Sequence, residues 1–399
     1  MTRSGPYNWS MFRGPLVALI SVLLCAPAAA QSTRVEAIAE QQAEKARALG
    51  AEGPSEAELV IRSILISPLL NGGDGIYPWF GSVFGGSGMA VGAGYLKRLE
   101  KAASINVLGG LSLNNSILLE TRLAAPELWR GKLRVDASAS WLDARGVSFY
   151  GFGPASEKSS RFRYDYQPTD LTFNAAFKPA KWLAFSSGYS FVTIDTTSDA
   201  PGALAEAGPG LGESLRYNVT RGGVAIDWRT SPGYSTRGGF YRATWERHNE
   251  TNSNPFSFDL QEFELVQLVP LVREQFVLAA RGLVTLTSTE AGSSVPVMLS
   301  PYLGSGSTMR GFATRRFTDR NRVLLTGEYR WRPSRYLDMA IFLDAGQVAA
   351  DRHRFRVRDF ETNWGLGARF HGPLFTALRV EVARGREGMG LIVAGSQIF

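Results

Sequence analysis

From about residue 80 to the end of the chain, apolar and polar residues alternate in long runs. In residues 133–141 every odd position is apolar and every even position is polar or charged, and a similar alternation recurs at 323–332, 364–371 and 378–383. A period of two is the pattern of a β-strand with one apolar and one polar face. The sequence therefore predicts an all-β fold over this region.

The length of these runs separates two all-β architectures. Strands of a soluble sandwich are about five or six residues long, with turns about every 8–12 residues. Here the runs last about 9 to 14 residues and begin about every 20, as membrane strands do when short turns alternate with longer loops. The polar positions also carry Arg, Glu and Asp at mid-strand, which is typical of a barrel lumen. We therefore predict a transmembrane antiparallel β-barrel over residues 80–399.

The strand number follows from counting the runs. About 15 runs can be placed, and because single-chain bacterial barrels have an even number of strands, we expect 16. Many runs end in an aromatic residue, as expected of the aromatic girdles at the two membrane interfaces. These residues are Trp141, Phe177, Trp228, Trp331 and Phe370.

The only long apolar stretch in the sequence lies near the N-terminus, at residues 15–30, and carries no charge. It is shorter than the roughly 20 residues that a membrane-spanning helix requires. Arg3 and Arg13 precede it and small residues end it, an order that predicts a secretory signal peptide over residues 1–30. We therefore expect the protein to be exported to the bacterial outer membrane, where the lipid bilayer is its main partner.

Charge and cysteine content exclude further classes of protein. The chain has 43 Lys and Arg against 36 Asp and Glu, and leaving out Arg3 and Arg13 reduces the basic count to 41. This excess is small and dispersed, so no nucleic-acid partner is expected. The single cysteine, Cys25, falls inside the predicted signal peptide, so we expect no disulfide. A lipid-modified Cys25 is the alternative, and Leu24 disfavours it because it is not small.

Residues 31–79 differ from the rest of the chain and are expected to form a short helical extension on the periplasmic side. Residues 35–49 are rich in good helix formers and are followed by Gly50. Ser55, with Glu58 three residues later, forms a capping box for a second helix. We expect residues 31–70 either to cover a barrel opening or to bind a periplasmic partner.

One segment, residues 288–321, has no strand period. A connection of about 30 residues is much longer than usual and tends to be functional. Its several glycines allow backbone conformations that other residues avoid. If this loop folds into the lumen, Arg310 needs carboxylate partners, and Glu328 and Asp344 on the next two predicted strands are the candidates.

These residues resemble the signature of the BamA/TamA family of outer-membrane assembly proteins, also called the bacterial surface antigen family. The motif Met309-Arg310-Gly311-Phe312 is similar to the family's loop motif, and Glu328 and Asp344 are similar to the carboxylates that pair with the loop arginine. The Gly-x-Gly-x-Arg run at 365–369 adds to the likeness, and Phe399 matches the C-terminal aromatic that bacterial barrels use as an assembly signal. The resemblance implies a 16-stranded barrel whose long extracellular loop folds into the lumen.

The resemblance also implies a function. We expect a non-enzymatic role in outer-membrane or envelope biogenesis, by insertion or translocation of protein or lipid at a weak seam between the first and last strands. Family members carry periplasmic POTRA domains that receive clients, and the residues before this barrel are too few for one, so we expect a barrel without POTRA domains. Two alternatives stay open: a channel or transport barrel for small solutes, and a surface-exposed structural antigen.

A hydrolase is the least favoured class, and no cofactor is expected. A hydrolase would need a serine activated by a histidine with a carboxylate behind it. Ser87, Ser305 and Ser307 lie in glycine-rich stretches but lack the Gly-x-Ser-x-Gly turn. The three histidines are scattered without the spacing of metal ligands, so no metal site is predicted.

Overall fold

A computed structural model describes residues 74–99, 103–199, 204, 206–272, 274–372 and 376–395 of the chain. The predicted signal peptide, residues 31–73 of the predicted helical extension, and Phe399 lie outside the described residues. No helix in the described part of the chain is long and apolar enough to cross a membrane.

Sixteen antiparallel strands form one sheet, in which each strand pairs with the next sheet strand along the chain; the numbers β12 and β13 are kept for a separate two-stranded ladder described below. The prediction of an all-β, 16-stranded antiparallel barrel is thereby confirmed. The first nine strands are β1 (Gly75–Gly81), β2 (Ala90–Leu99), β3 (Ala103–Ser112), β4 (Ile117–Glu127), β5 (Leu133–Phe149), β6 (Phe162–Ala180), β7 (Leu183–Thr197), β8 (Leu215–Asp227) and β9 (Gly238–Glu250). The other seven are β10 (Phe258–Val272), β11 (Phe276–Thr289), β14 (Asn321–Ser334), β15 (Leu337–Ala349), β16 (Glu361–His371), β17 (Thr376–Gly385) and β18 (Gly388–Ala394).

Strand β1 begins at Gly75, inside the range 31–79 that the sequence assigned to the helical extension. The predicted boundary at residue 80 is therefore wrong by several residues. The physical reason is that β1 has no polar face, because Tyr77 and Trp79 fill the inward positions. A Cβ on Gly94 would lie 2.2 Å from the Tyr77 ring and one on Gly110 would lie 2.7 Å from the Trp79 ring, so these aromatics pack over glycines of the neighbouring strands.

The barrel is inside out compared with a soluble protein. On β15 the outward Leu343 is 53% exposed, whereas the adjacent inward Asp344 is 0% exposed. The same alternation places Leu325 and Tyr329 outside and Glu328 inside on β14. Apolar side chains therefore face lipid and charged side chains line the lumen, as membrane barrels require.

The two ends of the barrel differ in their connections. At one end the connections are short, as in the two-residue turns 181–182 and 335–336, with 228–237 as the exception. The long connections 150–161, 198–214, 290–320 and 350–360 lie at the other end, together with short turns such as 386–387. Bacterial barrels have short periplasmic turns and long extracellular loops. The long connections are therefore extracellular.

The long loop after β11 is more ordered than its sequence suggests. It contains a 3₁₀ turn, Val297–Leu299, and a two-stranded ladder of β12 (Tyr302–Leu303) with β13 (Phe317–Thr318). These elements are too short to show a period. The remaining short elements are a helical turn at Leu128–Gly131 and 3₁₀ turns at Lys158–Ser160, Arg352–Arg354 and Val357–Asp359.

Strand length falls towards the junction of the first and last strands, which we call the seam. Strands β5 and β6 have 17 and 19 residues, whereas β1 and β18 have 7 each. Among the described residues no ladder joins β1 to β18. The barrel is therefore nearly closed, with its shortest strands on either side of the seam.

Candidate functional site: a loop arginine held in the lumen

The loop enters the lumen through two tight backbone contacts. Gly304 has a φ of +97°, and a Cβ there would lie 2.2 Å from the Ala313 carbonyl oxygen. A Cβ on Gly311 would lie 2.7 Å from the backbone nitrogen of Gly385. A larger residue fits at neither position, and the loop therefore lies directly against the inner wall at β17.

The structure brings Arg310, Glu328 and Asp344 together. Arg310 donates from Nε and Nη2 to the two Asp344 carboxylate oxygens at 2.9 and 2.8 Å, and from Nη1 to Glu328 Oε1 at 2.8 Å. The first pair of bonds is the bidentate arrangement that fixes both position and orientation of a guanidinium. All three side chains are buried.

A third carboxylate, which the sequence reasoning missed, completes this cluster. Glu381 on β17 accepts a hydrogen bond from Arg310 Nη1 at 3.2 Å and is buried. We call Arg310 with Glu328, Asp344 and Glu381 the arginine lock. The sequence does contain a sign of Glu381: the alternation of residues 378–383 places it on the inward face, between the outward Val380 and Val382.

Two glycines of the Gly-x-Gly-x-Arg run make room for the arginine lock. A Cβ on Gly365 would lie 2.3 Å from Phe342, and one on Gly367 would lie 2.8 Å from the Glu381 side chain. With that space, the Phe342 ring stacks on Arg310, whose guanidinium carbon lies 3.3 Å from the ring centroid. This cation–π contact replaces hydration on one face of the buried cation.

Further arginines surround the arginine lock and balance its acidic groups. Arg369 Nη2 bridges Glu328 and Glu381 at 2.9 and 3.0 Å, Arg330 pairs with Glu328, and Arg379 pairs with Glu381. Burying a carboxylate without such partners is costly. Arg310 itself belongs to the loop. Burial alone lowers the pKa of its guanidinium, but the hydrogen bond to Asp344 and the nearby carboxylates outweigh burial, so that the pKa is raised above its ordinary value. The loop cation therefore stays charged.

The other residues of the loop motif are also buried. Met309 packs in an apolar cluster with Leu303, Leu324 and Val348. Phe312 meets Phe317 edge to face, with ring centroids 5.1 Å apart. Each motif residue thus has a defined contact at the wall or within the loop.

A second loop arginine, also missed from the sequence, ties three extracellular segments together. Arg316 is buried and pairs with Glu387, in the turn between β17 and β18, at 2.8 Å. Its Nη2 also donates to the Ser156 carbonyl oxygen, in the β5–β6 loop, at 2.6 Å. The guanidinium lies over the rings of Tyr150 and Phe317. One side chain thereby holds together the long loop, the β5–β6 loop and the last hairpin.

The β8–β9 turn crosses the lumen at the periplasmic end. Tyr234 in this turn donates to Asp338 Oδ2 at 2.9 Å and stacks on His371, with ring centroids 3.7 Å apart. The Gly233 carbonyl oxygen accepts a hydrogen bond from the Thr376 backbone at 3.1 Å. The turn therefore reaches the opposite wall, at β15 to β17, and narrows this opening.

One wall of the lumen stays open. A cavity of about 380 Å³ lies along β4 to β9, away from the arginine lock. Its lining includes Arg122, Asp136, Asn174, Arg221 and Glu246. In the part of the chain that the structure describes, no group of three or more His, Cys, Asp or Glu is placed to hold a metal ion.

Comparisons with known proteins identify the family. A model described as the Omp85 superfamily domain matches residues 102–386. BamA from Haemophilus ducreyi, in a form lacking POTRA domains 1–3, has a similar structure, with a TM-score of 0.61 and 14% identity over 81% of this chain and 70% of that one. CdiB from Escherichia coli is similar with a TM-score of 0.55 and 14% identity, over 80% of this chain and 61% of that one. No curated protein matches the sequence.

The family match spans more than half of the chain, and both structures share its fold. The resemblance to the BamA/TamA type is thereby confirmed. An identity of 14% shows a common architecture and leaves the activity to be argued from this chain's own residues. The chain belongs to the Omp85 superfamily of outer-membrane β-barrels.

Proposed function

We propose that the chain acts in outer-membrane biogenesis without catalysing bond chemistry, and that its seam helps a protein or lipid to enter or cross the bilayer. The observation that carries this proposal is the pair of short strands at the seam, β1 and β18, which share no ladder within the described residues. The BamA/TamA resemblance of the loop motif supports the same role.

The length of the seam strands provides the physical mechanism. Seven extended residues span roughly 23 Å even without tilt, whereas the hydrocarbon core of a bilayer is about 30 Å thick. Exposed apolar residues at the seam, such as Phe80 and Leu391, cover only this shorter height. A bilayer that meets a short hydrophobic wall thins locally, and a thinner bilayer is easier for a client to enter.

The arginine lock supports the seam from inside. The Arg310 carbonyl oxygen lies 2.9 Å from where a Cβ on Gly390 would be, and Arg379 donates to the Gly306 carbonyl oxygen at 3.1 Å. The locked loop therefore packs on the inner face of β17 and β18. In this proposal the loop holds the last hairpin in place and leaves β1 as the side of the seam that moves.

The test measures how fast an unfolded outer-membrane barrel folds into vesicles that contain the full chain. We expect faster folding than in protein-free vesicles, and loss of this gain when an oxidised cysteine pair joins β1 (residues 76–80) to β18 (residues 389–393). The matched control is an oxidised pair at Ala243 and Phe263, which face each other in the β9–β10 ladder. Equal folding rates with and without the protein would contradict the proposal.

A second candidate function is a channel for small solutes, which the open cavity along β4 to β9 favours. Single-channel recording on the purified protein separates the two functions. A large and steady conductance supports the channel, whereas a low or irregular signal supports the closed barrel. Removing the side chain of Arg221, which lines the cavity, would then change ion selectivity in a channel and have no such effect in a closed barrel.

We further propose a periplasmic partner that binds residues 31–70. These residues are rich in helix formers, which are typical of segments that bind a partner as a helix. Cross-linking from intact envelopes through a photoreactive residue in 31–70 tests this, with the same probe in the exposed loop 350–360 as the control. Capture of the same proteins from both positions would argue against a specific partner.

A further inference from the structure

Strand β17 places an arginine among lipid-facing residues close to its extracellular end. The outward positions of β17 are Leu378, Val380, Val382 and Arg384, of which Val380 is half-buried and the other three are exposed. Arg384 pairs in register with Trp364 of β16 and with Met389 of β18, which are 55% and 70% exposed. Arg384 therefore has apolar lipid-facing neighbours on both sides.

Within the described residues, Arg384 has no carboxylate partner, whereas Arg386 two residues further on pairs with Glu361 at 2.8 Å. The exposed Trp364 lies beside Arg384, and an exposed tryptophan on a barrel marks the membrane interface. An arginine at this level extends its aliphatic stem along apolar surface and directs its guanidinium to the headgroup region. A cation placed there is within reach of the anionic headgroups of the membrane.

The loop directly above, between β15 and β16, is strongly basic. It carries four exposed arginines in seven residues and an apolar Val357 that is 86% exposed. Only Asp351 and Asp359 oppose them in this loop, and Asp359 pairs with Arg358 at 3.4 Å. The arginines are Arg352, Arg354, Arg356 and Arg358, and together with Arg384 we call them the outer-rim patch. The patch covers the extracellular ends of β15 to β17.

The distance between the two parts of the patch suits one ligand. Trp364, opposite Arg384, lies three residues beyond Glu361, where β16 begins after the basic loop. Three residues of a strand correspond to about 10 Å. A headgroup with separated phosphates can therefore contact Arg384 from the lipid side and the loop arginines from above.

We propose that the outer-rim patch binds the phosphate groups of a phosphorylated glycolipid in the outer leaflet. Guanidinium groups bind phosphate bidentately and are preferred for this purpose. The position of Arg384 decides between a lipid and a soluble acidic partner, because its lipid-facing side is reached from within the bilayer. The inference does not depend on the biogenesis proposal. It requires only that the long loops face the cell exterior.

The test measures binding of diphosphorylated lipid A and of its dephosphorylated form to the purified full chain, by native mass spectrometry or thermal shift. Wild type should prefer the diphosphorylated form, and Arg384→Gln should weaken its binding about fivefold, the contribution of one basic residue near an anionic membrane surface. Arg354→Gln with Arg356→Gln should add a further loss. Arg335→Gln, which removes the same charge from a periplasmic turn, is the matched control and should change nothing.

Three results would overturn the proposal. The first is equal binding of the phosphorylated and dephosphorylated lipids by wild type. The second is wild-type affinity in Arg384→Gln, once heat-modifiable gel mobility shows that this variant is folded. The third is full competition by inorganic pyrophosphate at the same concentration, which would mean that the patch recognises free phosphate and not a lipid.

Discussion

At the scale of residues, one buried arginine determines where the long loop lies. Arg310 meets three carboxylates and an aromatic ring, all buried inside the barrel. Breaking a buried pair is strongly destabilising because the remaining charges lose their partners. The loop position therefore depends on this side chain more than on the many exposed arginines.

Arg310→Ala should lower the free energy of unfolding by about 3–5 kcal/mol, the usual loss when one partner leaves a buried ion pair. The reason is that Glu328, Asp344 and Glu381 would stay buried with less positive charge around them. Urea titration followed by heat-modifiable gel mobility measures the change, and surface proteolysis reports release of the loop. Arg320→Ala, an exposed loop arginine, is the control, and equal behaviour of both variants would contradict a lock.

Glu381→Gln tests the carboxylate that the sequence reasoning missed. This substitution should lower the free energy of unfolding by about 1–3 kcal/mol, because Arg310, Arg369 and Arg379 each lose a charged acceptor. Combining it with Arg310→Ala in a double-mutant cycle should give a coupling energy of about 0.5–3 kcal/mol, as for residues in direct contact. Strictly additive effects would mean that Glu381 balances the neighbouring arginines and has no part in holding the loop.

Gly311→Ala tests the close approach of the loop to the wall. The added Cβ would lie 2.7 Å from the backbone nitrogen of Gly385, which cannot move away. We therefore expect the free energy of unfolding to fall by about 1–3 kcal/mol and surface protease to cleave the loop faster. Gly222→Ala in β8 is the matched control, because a Cβ there meets nothing within 4 Å. Similar urea midpoints for the two variants would show that the contact is dispensable.

At the scale of elements, Arg316 connects the long loop, to which it belongs, with the β5–β6 loop and with the turn between β17 and β18. Arg316→Ala should expose the β5–β6 loop and the β17–β18 turn together. Hydrogen exchange at 154–158 and at 385–388 should rise in parallel, while exchange in β9 and β10 stays unchanged. Arg161→Ala, an exposed arginine of the β5–β6 loop that hydrogen-bonds to Ser148 and lies over the Tyr150 ring but does not reach the other two segments, should leave both regions protected. Exchange rising in one region alone would contradict the link.

The strands were predictable wherever one face is apolar and the other polar, as in residues 133–141 and 364–371. The pattern fails at β1, because Tyr77 and Trp79 fill the inward face by packing over glycines of other strands. It also fails for β12 and β13, which are two residues long. Glu328 and Asp344 could be named from a motif and its spacing, whereas Glu381 and Arg316 act through contacts far along the chain, which local patterns do not report.

At the scale of the whole molecule, the barrel is tall along β5 and β6 and low at the seam. We expect the full chain to refold from urea faster into vesicles of short-chain lipids than into vesicles of long-chain lipids. The reason is that a thin bilayer matches the seven-residue strands and leaves less mismatch to overcome. Gel mobility over time measures the rate, and a barrel of uniformly long strands provides the comparison. A rate independent of acyl-chain length would contradict a low seam.

The β8–β9 turn has a consequence for the path of any cargo. Tyr234 joins Asp338 and His371 at the periplasmic end, and the long loop binds the same side of the wall further up, so the lumen is narrowed twice along β14 to β17. A polypeptide threaded along this side of the lumen would have to displace both sets of contacts. Under the proposed function, cargo that leaves them intact would travel along the outside of the wall.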